Sequence, residues 1–114
     1  MVSEQTLVEV AKRLVNGFHT YKIILFGSQA RGTADEHSDI DILVISAVEG
    51  DRFALILDMY DSLQGMNLAK DIIVLTPDEF ERDRQIPGTI ARPAWKEGKI
   101  LYDTSFSLIK IKRS

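Results

Sequence analysis

Cysteine is absent from this 114-residue chain, which excludes disulfides and thiolate metal sites and suits a reducing interior. Long apolar runs are missing as well: nothing approaches the roughly 18 residues a membrane-spanning helix needs. The N-terminal MVSEQ has no basic segment leading into an apolar one, so no signal peptide is read. The expected location is the cytoplasm. A basic excess is also lacking. The formal net charge of −3 argues against nucleic acid as the main partner, because phosphates call for a basic face. The small basic cluster Lys110, Lys112 and Arg113 reads as a solvated C-terminal tail. No repeat, low-complexity tract or linker interrupts the sequence. What is present is a hydrophobic share of 45% on a length that suits a single domain, residues 1–114, around one core.

Periodicity supplies the elements. Leu7, Val10, Ala11, Leu14 and Phe18 recur at helical spacing, with Ser3 placed to cap and Gly17 to end the helix. YKIILF, residues 21–26, reads as a strand that stops at a glycine. Residues 27–38 are polar and glycine-containing, a loop with room for one helical turn. DIDILVIS, residues 39–46, alternates and then turns wholly apolar, as in a strand with one exposed end. Phe53, Ile56, Leu57, Tyr60 and Leu63 mark a second helix, closed by Gly65. DIIVL, residues 71–75, is a third strand. Thr76, Pro77 and Glu79 then compose a capping box, a strong helix start. Pro93 must start or kink a helix before Gly98, and KILY, residues 99–102, is a last strand. The order α-β-loop-β-α-β-α-α-β describes an α/β fold, a small mixed sheet with flanking helices.

Chemistry concentrates between Phe26 and Val44, in FGSQARGTADEHSDIDILV. Asp39 and Asp41, two apart on a strand, leave the same face with Cα atoms roughly 7 Å apart. Carboxylates so close repel one another and raise at least one pKa unless a cation intervenes. A hard cation such as Mg²⁺ takes carboxylate and phosphate oxygens together. Gly27 permits a tight turn and close approach of a ligand. The Ser28 amide and hydroxyl suit a phosphate, and Arg31, one turn on, adds a guanidinium. Taken singly, each feature is an ordinary turn, surface charge or pair of solvated aspartates. The remaining polar and aromatic candidates read as structural: His37 as a solvated loop residue, His19 as a partner of the first helix's C-terminal dipole, Trp95 as core or partner interface, Tyr60 as core, and Lys22 and Lys70 as solvated.

The combined pattern, Gly27-Ser28 followed after ten residues by Asp39-x-Asp41, resembles the signature of the polymerase-beta-like nucleotidyltransferase superfamily. It is most similar to the small prokaryotic minimal nucleotidyltransferases, in the A-R-G after the serine, the S-D-I-D-I-L-V run and the closing KEGKILYD. That resemblance implies a polymerase-beta-like nucleotidyltransferase fold and a set of roles. Gly27 and Ser28 would hold the β- and γ-phosphates of a nucleoside triphosphate, with Arg31 assisting. Asp39 and Asp41 would ligate two Mg²⁺ ions. Asp71, heading another apolar strand, would be the third carboxylate and help to activate the attacking hydroxyl. The resemblance further implies an antitoxin that transfers AMP from ATP to a tyrosine of a cognate HEPN ribonuclease toxin. Two other readings stay open: an antitoxin that acts by binding alone, and a nucleotidyltransferase acting on a small-molecule or RNA hydroxyl. Self-association is also compatible with the sequence.

Overall fold

The computed structural model describes residues 2–32, 39–104 and 108–109. The first helix, α1, spans Glu4–Asn16 and begins as its sequence directs. The Ser3 hydroxyl accepts from the Thr6 amide at 3.1 Å, and Gly17 caps the far end. Next come β1 (Thr20–Phe26), the single turn α2 (Ser28–Arg31) and β2 (Ile40–Ser46). Helix α3 (Arg52–Ser62), β3 (Lys70–Leu75), α4 (Pro77–Asp83), α5 (Ala91–Glu97) and β4 (Lys99–Asp103) follow, and a two-residue β5 (Leu108–Ile109) ends the described chain. Among the described residues no helix is long and apolar enough to cross a membrane. His37 and the cluster Lys110, Lys112 and Arg113 lie outside the described residues.

The sheet order is β3-β2-β1-β4-β5, with β2 and β3 parallel and the other pairs antiparallel. Alternation along each strand gives the sheet two apolar faces. On one, Ile23, Leu25, Ile42, Val44, Ile72 and Val74 pack under α1 and α3. On the other, Ile24, Phe26, Leu43 and Ile45 pack under Phe80 of α4 and Ala91 and Ala94 of α5. Small residues let α5 lie close: a Cβ on Gly98 would strike the Ala94 carbonyl and the Ile24 side chain.

The reading of α3 changes in detail. The buried face of α3 centres on Met59, with Leu63 just past the helix, whereas Phe53 and Leu57 of the expected stripe are 67% and 52% exposed. RFALILDMY is apolar almost all round, so its periodicity does not select a face. Pro93 falls in the first turn of α5, where a missing amide hydrogen breaks no helical bond. The strand β5 was not foreseen, its pairing with β4 being too short to leave a periodic signal. Tyr60 packs at the margin of the core, and its hydroxyl accepts the Ile72 amide at 2.9 Å on the outer edge of β3. Lys22 pairs with Asp103 at 3.7 Å, near the end of β1 remote from Gly27, and Lys70 donates to the Leu68 carbonyl at 3.0 Å. The His19 ring lies against that of Tyr21, centroids 4.9 Å apart.

Candidate active site

Antiparallel β1 ends where β2 begins, so Phe26 pairs with Asp41 and the chain leaves the sheet at Gly27 beside that carboxylate. Gly27 takes φ 74° and ψ −154°, a region essentially reserved for glycine. A side chain there would also collide with the Asp41 carboxylate. The chain then closes one turn: the Arg31 amide donates to the Gly27 carbonyl at 3.1 Å, and Gly32, at φ 75°, ends α2. Ser28 thus opens a turn held against the head of β2.

The parallel pairing of β2 with β3 sets Asp41 directly beside Asp71, about 4.8 Å apart at the strand spacing. Both belong to the alternation that includes Leu43, Ile45, Ile73 and Leu75, so these carboxylates stand on the α4–α5 side of the sheet. Asp71 is exposed, Asp41 is half-buried, and Asp39 lies exposed just ahead of β2. The fields of these groups meet at Asp41. Burial, then Asp71, then Asp39 push its carboxyl above the ordinary value, while the Arg31 guanidinium pulls it back. Arg31 also pairs with Glu97 at the end of α5, Nη1 to Oε2 3.6 Å. Sequence reasoning did not single out Glu97, because nothing local links it to an arginine so distant in the chain.

The structure therefore brings Gly27, Ser28, Arg31, Asp39, Asp41 and Asp71 to one end of the sheet. As the side chains stand, no three Asp, Glu or His residues among those described are gathered tightly enough to hold a metal ion. The donor chemistry nonetheless fits a hard divalent cation. The set is all oxygen, and a cation would relieve the repulsion that raises Asp41.

Comparison with known proteins bears on the family and the fold. Residues 5–104 match the model of the nucleotidyltransferase domain. A candidate protein adenylyltransferase of Methanocaldococcus jannaschii is 36% identical over 81 residues, covering 71% of this chain and 77% of the relative. The crystal structure of a candidate nucleotidyltransferase from Sulfolobus solfataricus superposes with a TM-score of 0.66 at 22% identity, over 94% of this chain and 86% of that one; at that identity the likeness speaks for the fold. A toxin–antitoxin structure with AMP-PNP also gives a TM-score of 0.66, at 25% identity over 88% of this chain and 75% of that one. The chain belongs to the nucleotidyltransferase domain family and is a nucleotidyltransferase enzyme.

Proposed function

We propose that the chain is a Mg²⁺-dependent adenylyltransferase that moves AMP from ATP to a hydroxyl of a partner protein and thereby neutralises a toxin. The observation that carries this reading is the in-register pair Asp41 and Asp71 against the backbone of Gly27. Gly27 and Ser28 hold the phosphates, and Arg31 stabilises their charge. Asp39, Asp41 and Asp71 are the residues that would hold Mg²⁺, which supplies neutralisation of the carboxylates and the polyphosphate. The acceptor oxygen bonds to the α-phosphorus in line with departing pyrophosphate, and Asp71 draws off the hydroxyl proton. A protein acceptor is supported by the M. jannaschii relative's name and by the toxin–antitoxin neighbour with AMP-PNP. A HEPN ribonuclease toxin is the acceptor that the sequence resemblance implies, with a tyrosine as its receiving hydroxyl.

The test is mass spectrometry of the proteins encoded beside this gene, each co-expressed with the chain or with its Asp39→Asn, Asp41→Asn form. An AMP adduct that vanishes with the double variant is the expected result. An unmodified partner that still co-purifies with both forms would instead establish inhibition by contact.

A further inference from the structure

Five large apolar side chains are notably exposed among the described residues, and they divide between the two sides of the sheet. Phe53 and Leu57 lie on α3, over the face opposite the carboxylates. Ile86, Ile90 and Trp95, at 47%, 44% and 43% exposure, lie on α5 and the connection into it from α4, over the face that carries Asp41 and Asp71. The second group has a charged surround of its own. From residue 81 to 97 the chain has four cations and three carboxylates; Arg82 pairs with Asp83, Arg84 with Glu81 and Arg31 with Glu97, which leaves the charges of Arg92 and Lys96 to face a partner. Arg84 lies over the Trp95 ring at 5.1 Å and pairs with Glu81, Nη2 to Oε1 2.8 Å. The patch also borders the site, since α5 ends at Glu97 in its contact with Arg31.

From this we infer that the α4–α5 surface, Ile86, Ile90 and Trp95 edged by Arg92 and Lys96, is where the acceptor protein docks through an apolar surface edged with carboxylates. The inference rests on the proposed transfer to a protein. It follows from the requirement that the acceptor hydroxyl reach the carboxylate end from the side on which those carboxylates stand. Exposed aromatic and arginine side chains are the residue types on which protein interfaces concentrate their energy. The basic rim selects an acidic partner and accelerates encounter.

The test compares Ile86→Asp with Lys96→Glu, as a double variant, against Leu57→Asp on the opposite face. The acceptor is the co-expressed neighbour that the wild type labels; binding of a fluorescent ATP analogue with Mg²⁺ is measured alongside. The expected result is a tenfold or greater loss of labelling and co-purification for the α4–α5 variant. Its nucleotide affinity stays within twofold of wild type, Leu57→Asp labels normally, and wild-type labelling weakens as salt rises. Full labelling by the α4–α5 variant, or loss confined to Leu57→Asp, would overturn the docking assignment while leaving the transferase reading intact. Absence of labelling by the wild type, with ATP analogue still bound, would remove the protein acceptor and this surface assignment together.

Discussion

At Gly27 two demands meet on one residue. The backbone conformation, φ 74° and ψ −154°, is strained for any side chain, and the space a Cβ would need is taken by the Asp41 carboxylate. Replacement by alanine therefore acts twice. The backbone term costs about 1–3 kcal/mol. Relief of the collision moves Asp41, and a displacement near 1 Å at a reacting centre costs on the order of 100-fold in rate. Gly27→Ala is expected to lower the urea midpoint and to lose transfer activity by about that factor. Wild-type values for both would mean that the turn does not hold the conformation described. The glycine was legible in the sequence as a tight turn, but its tie to Asp41 was not, because that contact depends on how β1 pairs with β2.

Glu79 joins three elements. Its Oε1 accepts the Thr76 amide at 2.8 Å, while the Thr76 hydroxyl accepts the Glu79 amide at 3.2 Å, which completes the capping box of α4. Its Oε2 accepts from Arg52 of α3 at 2.8 Å, and the same guanidinium reaches the Val74 carbonyl on β3 at 3.3 Å. The Arg52 hydrogen bond, then that of the Thr76 backbone, lower the Glu79 carboxyl from 4.5 to about 2. A depressed folded-state pKa stabilises the fold above the unfolded value, and that contribution is lost as pH falls through the folded one. Part-exposure to solvent holds the effect to on the order of 1–2 kcal/mol. Glu79→Gln is thus expected to unfold more readily than wild type at neutral pH, with the gap closing as pH drops from 4.5 towards 2. Denaturant titrations across that range check it; a gap independent of pH would assign the role to packing. The capping box was readable because its partners lie within three residues. The buried face of α3 was not, since Leu55, Ile56, Met59 and Tyr60 leave no polar side opposite Phe53 and Leu57. The in-register match of Asp41 with Asp71 was likewise hidden: an aspartate at the head of an apolar strand is visible in sequence, but its parallel neighbour is chosen only by folding.

Across the whole molecule, the sheet's apolar faces are covered by helices, and the carboxylates of Asp41 and Asp71 are left together at one end. That arrangement stabilises the fold less than a neutral one would. Asp41 has a raised pKa, so the penalty is absent when folded and unfolded chains are both protonated. It appears as pH rises above the ordinary value of 3.8 and is complete above the folded-state pKa. The protein is then most strained, at neutral pH, where a divalent cation and a triphosphate would bind. Without metal, Asp41→Asn is expected to melt above the wild type at pH 7, because it removes one of the repelling charges. Addition of Mg²⁺ with a non-hydrolysable ATP analogue should reverse the order. Binding to the folded state alone adds about 2.7 kcal/mol at a free ligand concentration 100 times Kd, and Asp41→Asn forfeits that gain with its ligand. Thermal melts of both proteins, with and without Mg²⁺ and the analogue, measure the two effects separately. A variant that melts below the wild type without metal, yet shifts fully with ligand, would remove Asp41 from the metal set and place the repulsion elsewhere. A crossing of the two melting temperatures on ligand addition would show stability given up at the residue that binding requires.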